Sequence, residues 1–391
     1  APSDFSTGAF SAEYGDVLSG VYDVKLRAGN NQKFEATLGF GIIGTDMTIE
    51  GPFKKGYGGS YLINYRYSTV SLISDLGLVE VPGALKFQDA AFKLVFPTKK
   101  AGVFSMFGLG GLSGFRLDSV GPDVFSTPTN KGVSGRLSED YDKDAFLANY
   151  GLTHTISLNK KSYLSTTLAY SNNGILEDIY RTITTTVKDQ QGNVLYDSVG
   201  TRQLNYKNRL SRSVYRGAIT YNNKLNAKNT IQAGTKYALF AFDMNTSQLN
   251  NANQRVALVD RNEHIANLRN FINWKHRFSP FITMVAGFHN MNVLYNAKST
   301  IEPRIAFQAK LNSSNSINIG YGKHSAMESV HNYFTKVTDA NGNTTEPNKD
   351  LDLLKAHHVV LGYEKRLSKN WIAIAVNIKM KSCNFFIEFL R

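Results

Sequence analysis

The sequence predicts an all-β protein, a transmembrane antiparallel up-and-down β-barrel. Apolar and polar residues alternate with period two over runs longer than ten residues, which is typical of strands with two different faces. Short polar turns alternate along the chain with longer polar segments, as in a barrel whose two rims differ. No run of about 18 apolar residues is present, so the sequence does not predict a membrane-spanning helix.

The composition excludes several other classes. Of the 391 residues, 42% are hydrophobic, 12% are aromatic and only 19% are charged, which excludes a disordered chain or a charged coiled coil. The net charge is +13, but the basic residues are spread singly or in pairs, so a nucleic-acid partner is not predicted. A single cysteine, Cys383, excludes an intrachain disulfide.

The alternation is clearest near residue 301 and predicts which side chains share a face. One face carries mainly aliphatic and aromatic groups, while the other carries charges in the middle of the strand. Similar runs begin at Tyr61 and Tyr215. The clearest run has Ile301, Pro303, Ile305, Phe307, Ala309 and Leu311 on the apolar face, against Glu302, Arg304, Ala306, Gln308, Lys310 and Asn312.

The turns divide the chain into about fourteen or fifteen strands from Lys33 onward. Residues Ser68 to Gly77 predict a short helix that begins at a capping Ser or Thr and ends at Gly77. Short turns are predicted near residues 158–161, 225–229, 277–280, 311–315 and 367–370. Longer outer segments are predicted at roughly 116–142, 173–202, 245–262 and 324–353.

Two other β architectures are alternatives to the predicted partial membrane barrel. A soluble β-sandwich would bury the apolar face between two sheets and have strands of about 5 or 6 residues. A passive channel would be a complete barrel of 14 or 16 strands, with the first and last strands paired. Strand length favours a membrane barrel over the sandwich, whereas the sequence leaves the channel as an alternative.

The N-terminal segment carries an ordered motif. Glu13-Tyr14-Gly15, then Gly20-Val21, then Val24 followed by Lys25 and Arg27, resembles the end of the plug domain in TonB-dependent outer-membrane receptors. It lies immediately before the first predicted barrel strand, where a plug would lead into a wall. Segments 86–102 and 108–114 resemble the branch of this family that usually carries a carboxypeptidase-regulatory-like N-terminal domain. The resemblance extends to about Trp371, and the segment 372–391 departs from the family pattern.

The resemblance implies an organisation and a function. Residues 1–32 would be the C-terminal end of a plug domain, and residues 33–391 a partial barrel with about 14–15 of the family's 22 strands. The intact protein would be a receptor in the outer membrane of a Gram-negative cell. It would bind a scarce, unidentified small nutrient at its outer loops and import it by plug movement driven by the TonB complex, which acts through an N-terminal segment preceding this chain.

Five charged residues on the polar face are predicted to face the barrel lumen. An arginine near the lipid midplane would cost about 2–4 kcal/mol, so the alternation favours an inward orientation. There these side chains would contact the plug or line the route of the substrate. The five are Arg66, Glu302, Arg304, Glu364 and Arg366. The plug motif residues predicted to matter are Glu13, Tyr14, Gly15, Gly20 and Val21.

No catalytic, cofactor or metal site is predicted, and the chain is not expected to be an enzyme. The sequence lacks a nucleophile elbow, a His-Glu-x-x-His motif and a phosphate-binding loop. His357 and His358 are adjacent on a strand and should face opposite ways. The carboxylates at 140, 142 and 144 resemble the start of a calcium loop, but Ala145 and Gly151 occupy two required positions, so we expect an acidic solvated loop.

Overall fold

A computed structural model describes residues 3–8, 10–78, 86–126, 133–339, 341–368 and 371–383. The helices are α1 (Thr69–Asp75) and α2 (Val330–Tyr333). The strands are β1 (Ser3–Thr7), β2 (Gly20–Val24), β3 (Glu35–Phe40), β4 (Gly44–Pro52), β5 (Ser60–Ser68), β6 (Lys86–Pro97), β7 (Val103–Ser126), β8 (Val133–Asn159), β9 (Ser162–Lys188), β10 (Val194–Val199), β11 (Gln203–Lys224), β12 (Asn229–Leu249), β13 (Arg255–Arg277), β14 (Ile282–Val293), β15 (Ser299–Lys310), β16 (Asn315–Ala326), β17 (Val337–Thr338), β18 (Thr344–Thr345), β19 (Leu354–Arg366) and β20 (Ile372–Cys383).

One antiparallel sheet dominates the described part of the chain. Fifteen strands follow one another from β3 to β20 in chain order, with β10 paired beside β9, so the predicted up-and-down arrangement is confirmed. Strands β1 and β2 form a separate hairpin, as do β17 and β18. Among the described residues no pairing joins β3 to β20.

The two faces of the sheet differ as the alternation predicts. In β15, Ile301 is 64% exposed and Phe307 is 40% exposed, whereas Glu302 and Arg304 are buried. The strand pairing keeps each face in register from strand to strand, and we call the face that carries Glu302 the inner face. The apolar rows are exposed rather than sandwiched in a dry core, which contradicts the β-sandwich alternative.

Several strands are longer than predicted. Strands β8 and β9 each span 27 residues, and they run through much of the segments 116–142 and 173–202 that were expected to be outer loops. The charges in these segments suggested solvated loops, but the register places opposite charges on neighbouring strands. Arg181 lies 2.7 Å from Glu139, and Arg209 lies 2.7 Å from Asp178.

The acidic run at residues 140–144 is part of β8, so the expectation of a loop there is wrong. Its carboxylates pair with cations on adjacent strands and on the segment beside them. Arg202 lies 2.7 Å from Asp140, and Arg116 lies 3.2 Å from Asp142. These pairs offset the charge of two of the three carboxylates on this side of the strand and so reduce their mutual repulsion.

The short helix predicted after β5 is confirmed as α1. The Ser68 side chain accepts a hydrogen bond from the Ser71 backbone N–H, which caps the first turn. Gly77 has φ +71°, a conformation that ends the helix at little steric cost. Neither helix in the described part of the chain has the length and the apolar character needed to cross a bilayer.

The outer segment after β16 folds back onto the inner face of the wall. Helix α2 contributes the fully buried Tyr333, and the end of the segment contributes Leu353. Both belong to an apolar cluster that also contains Ile265, Met291, Val293 and Phe334. This segment, residues 327–353, is therefore anchored to β13 and β14, and we call it the folded outer loop.

Replacing Ile305 by Arg is expected to destabilise the folded chain in phosphatidylcholine vesicles by about 2–4 kcal/mol, because the guanidinium would face hydrocarbon near the middle of β15. Ala306→Arg is the matched control, since the neighbouring side chain lies on the inner face. We expect the control to lose less than about 1 kcal/mol. Urea titration in vesicles measures both values, and equal losses would contradict the assignment of the faces.

Candidate functional site

Residues 10–17, here called the docking segment, lie against the inner face of the wall between β12 and β16. The segment has no regular secondary structure, and a turn closes where the Tyr14 N–H donates to the Ser11 carbonyl at 3.1 Å. The Ala12 N–H donates to Asn273 Oδ1 at 3.0 Å, and the Val17 N–H donates to the Ser325 carbonyl at 3.2 Å. The wall therefore supplies partners that the irregular backbone lacks within itself.

Arg304 is the main polar contact between the wall and the docking segment. Its Nη1 donates to the carbonyl of Ser11 at 2.8 Å and to that of Tyr14 at 2.5 Å. Its guanidinium lies 4.8 Å from the centre of the Phe10 ring, a cation–π contact. Because the turn at residues 11–14 directs two carbonyls toward one side, a single arginine fixes its shape.

Glu302 compensates the buried charge of Arg304. The two side chains are 0% and 3% exposed, and Arg304 Nη2 donates to Glu302 Oε2 at 2.6 Å. Glu302 also accepts hydrogen bonds from the hydroxyls of Thr300, at 3.0 Å, and Ser325. A buried ion pair is tolerated when its remaining donors and acceptors are satisfied, as they are here.

Gly15 is required by a close approach to the wall. A Cβ at this position would lie 2.0 Å from His289 Nε2, so any side chain would displace the segment or the histidine ring. The Gly15 carbonyl accepts a hydrogen bond from Arg269 Nη1 at 3.1 Å. On the other ring nitrogen, His289 Nδ1 donates to the Ala12 carbonyl at 2.8 Å.

Glu13 and Tyr14 extend the contact to β12 and to the N-terminal hairpin. Lys236 Nζ lies 3.4 Å from Glu13 Oε1 and donates to the Glu13 carbonyl at 3.0 Å. Gln232 donates to the other carboxylate oxygen of Glu13 at 3.0 Å. The Tyr14 hydroxyl donates to Asp23 at 2.9 Å, and burial together with this hydrogen bond raises the Tyr14 pKa.

Asp16 joins the docking segment to the folded outer loop. Its carboxylate accepts from the Met327 N–H at 2.8 Å and from Asn267 Nδ2 at 3.4 Å. Asp16 has φ +62°, a left-handed conformation that Asp and Asn adopt more readily than other residues with side chains. Burial raises the Asp16 pKa, and the Met327 hydrogen bond partly opposes this increase.

Three buried histidines surround the docking segment on the wall. His289, His324 and His358 are at most 1% exposed and lie on β14, β16 and β19. The His324 ring lies 4.6 Å from the His358 ring and 4.2 Å from the Phe10 ring. Within the described residues, no group of three or more His, Cys, Asp or Glu side chains is arranged to hold a metal ion.

The sequence predicted that the adjacent His357 and His358 lie on a strand and face opposite ways. Their opposite orientation is confirmed, because His357 hydrogen-bonds the Tyr321 hydroxyl on the exposed face while His358 is buried on the inner face. The contacts of His289 and His324 with the docking segment were not predicted, nor was the burial of His358 beside His324. Only His324 lies in a mainly polar register; the inner-face register of β14 also carries Val285, Met291 and Val293, so alternation alone does not identify His289.

The structure brings together only part of the predicted motif. Glu13, Tyr14 and Gly15 all contact the wall. Gly20 and Val21 instead lie in β2, where they pair with Thr7 and Ser6 of β1.

The predicted lumen residues also divide into two groups. Glu302 and Arg304 lie at the docking segment. Arg66 pairs with Asp89 at 2.7 Å and is half exposed, while Glu364 and Arg366 lie at the end of β19. The strand pairing places all five on the inner face, and their role in a lumen stays a prediction.

Comparison with known proteins identifies the fold. No family model and no curated protein sequence matches the chain. Among solved structures, the siderophore receptor PirA of Acinetobacter baumannii is similar at 13% identity and a TM-score of 0.62, over 97% of this chain and 57% of PirA. A variant of the ferric enterobactin receptor PfeA of Pseudomonas aeruginosa gives 11% identity and 0.60, over 98% and 58%.

The outer membrane transporter YddB of Escherichia coli gives 13% identity and a TM-score of 0.57, over 97% of this chain and 56% of YddB. The chain thus spans somewhat more than half the length of the structures that it matches. It has the fold of the TonB-dependent outer-membrane receptors.

Replacing Arg304 by Ala is expected to release the docking segment. The change removes the hydrogen bonds to the carbonyls of Phe10, Ser11 and Tyr14 and leaves Glu302 buried without its cation, a loss of about 3–5 kcal/mol. Hydrogen exchange followed by mass spectrometry should show amides 10–17 exchanging about 100-fold faster or more. Arg66→Ala, which breaks a half-exposed pair away from the segment, is the control and should change their exchange less than about fivefold. Equal protection in both variants would contradict the role of Arg304.

Substitutions of Asp16 should separate its side chain from its backbone conformation. Asp16→Asn keeps an oxygen for the Met327 N–H and tolerates positive φ, so we expect near-normal protection of the Met327 amide. Asp16→Gly keeps only the conformation, and Asp16→Ala keeps neither. Protection should therefore fall in the order Asn, Gly, Ala, with Ala at least about tenfold less protected than Asn. Amide exchange measures this order, and equal protection in Ala and Asn would refute it.

Proposed function

We propose that this chain is part of a TonB-dependent outer-membrane receptor that binds a scarce small nutrient and imports it by movement of a plug. The observation that carries the proposal is the docking of residues 10–17 inside the wall through Arg304. The contact combines backbone carbonyls, amides and a few charged side chains with two buried apolar residues, Phe10 and Ala12. Its hydrogen bonds can be replaced by hydrogen bonds to water, so withdrawal of the segment would expose Phe10 and Ala12 as its main buried apolar groups.

The arrangement of charges also supports a removable segment. Arg304 has its carboxylate partner, Glu302, two residues away on the same strand. When the segment withdraws, Arg304 loses carbonyl acceptors that water can replace, but it keeps its counter-charge. The wall is therefore suited to both a docked and an undocked state, because neither leaves Arg304 with an uncompensated buried charge.

Under this proposal residues 1–32 are the end of the plug, and residues 33–391 belong to the barrel wall. The separate β1–β2 hairpin supports the division, since it pairs with no strand of the large sheet in the described residues. The link between the two parts is fixed at the wall by Arg27, which donates to Glu50 at 2.6 Å. The site of action is the outer membrane, and the partner that supplies force is the TonB complex, which acts on a plug segment preceding this chain.

The experiment uses the product of the complete gene that contains this sequence. The protein is produced in Gram-negative cells with and without TonB. PirA and PfeA are named as receptors for siderophores, so labelled ferric siderophores are the first ligands to test. We expect accumulation of a labelled ligand that requires TonB. Accumulation that is independent of TonB would contradict the proposal and favour a passive channel.

The same cells test whether docking of the segment closes the wall. Arg304→Ala should increase sensitivity to vancomycin, a solute too large for small pores, by about fourfold or more even without TonB. The reason is that a loosened plug leaves the lumen open. Arg66→Ala, produced in the outer membrane in the same amount, should leave the sensitivity to vancomycin unchanged. Equal sensitivity in both variants would show that Arg304 does not retain the plug.

A further inference from the structure

A cavity of about 510 Å³ lies between the docking segment and the inner face of the wall. Glu13, Tyr14 and Gly15 form one side of it. Strands β9, β11, β12 and β13 form the other, mainly with small polar side chains and three cations. Its volume is within the range of about 300–1,000 Å³ that is common for small-molecule sites.

The charges that line this cavity are unbalanced. Arg216, Lys236 and Arg269 all line it, and among the described lining residues Glu13 is the one carboxylate. Lys236 is offset by Glu13 at 3.4 Å. Arg216 instead donates to the neutral hydroxyl of Ser171 at 2.7 Å. The cavity therefore has a positive surplus. Arg216 is exposed, whereas Lys236 and Arg269 are half-buried, where the attraction for an anion is stronger than at an open surface.

The remaining lining supplies neutral hydrogen-bond donors. They are hydroxyls and amides from β9, β11 and β12, which can bind carboxylate or phosphate oxygens without adding charge. Arg269 adds a buried Nε–H that has no hydrogen-bond partner among the described residues. An unmade hydrogen bond at a buried cation is a cost that an incoming acceptor oxygen would relieve. The neutral donors are Ser165, Thr167, Thr220, Asn222 and Gln232.

We propose that this cavity is a binding subsite for a small anion that carries carboxylate or phosphate groups. This subsite proposal rests on the proposed function. It adds the chemistry of the solute that passes along the docking segment. An anion held by Arg216 and Lys236 would compete with Glu13 for Lys236. Occupancy of the subsite therefore weakens one contact that holds the segment to the wall.

The binding test uses the full chain folded in detergent micelles, with succinate and inorganic phosphate as separate probes for the two anion types. Isothermal titration calorimetry should show saturable binding of at least one probe that weakens with added salt. Arg216→Gln removes the cation that does not contact the docking segment, and it should weaken binding about tenfold. Arg212→Gln is the matched control, since it lies on the same face of β11 outside this cavity and should leave binding unchanged.

Amide exchange supplies a second measurement. Saturating probe should increase the exchange of residues 10–17 in the unchanged chain and in Arg212→Gln, but not in Arg216→Gln. Lack of saturable binding of both probes, or equal weakening in the two variants, would overturn the subsite. These results are independent of TonB-dependent uptake. Loss of probe binding with uptake intact would refute only the subsite, and binding without TonB-dependent uptake would refute only the proposed function.

Discussion

The buried pair of Arg304 and Glu302 is the interaction on which the inner side of this structure depends. Two residues apart on one strand, they necessarily share a face, and their charges compensate each other where water is excluded. The guanidinium has more donors than one carboxylate can satisfy, and the carbonyls of Ser11 and Tyr14 satisfy others. This requirement fixes the turn, which in turn places Gly15 against His289 and directs Asp16 toward the outer loop.

Asp16 connects two parts of the molecule that are stabilised differently. The docking segment is held by hydrogen bonds, whereas the folded outer loop is held by an apolar cluster around Tyr333 and Leu353. Apolar packing gives the loop a defined position, and the Met327 N–H transmits that position to the Asp16 carboxylate. A ligand that displaces the loop would thus remove a hydrogen bond from a buried carboxylate, a larger effect than losing one at the surface.

The sequence predicted the faces, the turns and helix α1 because each depends on neighbours in the chain. The alternation around Ile305 suffices to orient β15, and Ser68 and Gly77 suffice to bound the helix. Strand length was harder to predict, since Glu139 and Asp140 suggest a solvated loop until the register brings Arg181 and Arg202 beside them. The alternation placed Glu302 and Arg304 on the polar face, but their partners on the docking segment could not be predicted, because these contacts join residues far apart in sequence, as His289 and Ala12 are.

Three cations of the wall lie close to the docking segment: Arg304, Lys236 and Arg269. They differ in where their counter-charges lie, and this difference would set the charge of the docked and the undocked wall. Arg304 has its carboxylate on the wall, but Lys236 is paired with Glu13 on the docking segment, and Arg269 is attracted by Asp16 on the same segment. If the segment moves as proposed, its withdrawal would remove two carboxylates and leave their cations behind. The undocked wall would then attract anions more strongly than the docked wall does. By thermodynamic linkage, an anion that binds the undocked wall more tightly than the docked wall would shift the docking equilibrium toward the undocked state by the ratio of the two affinities.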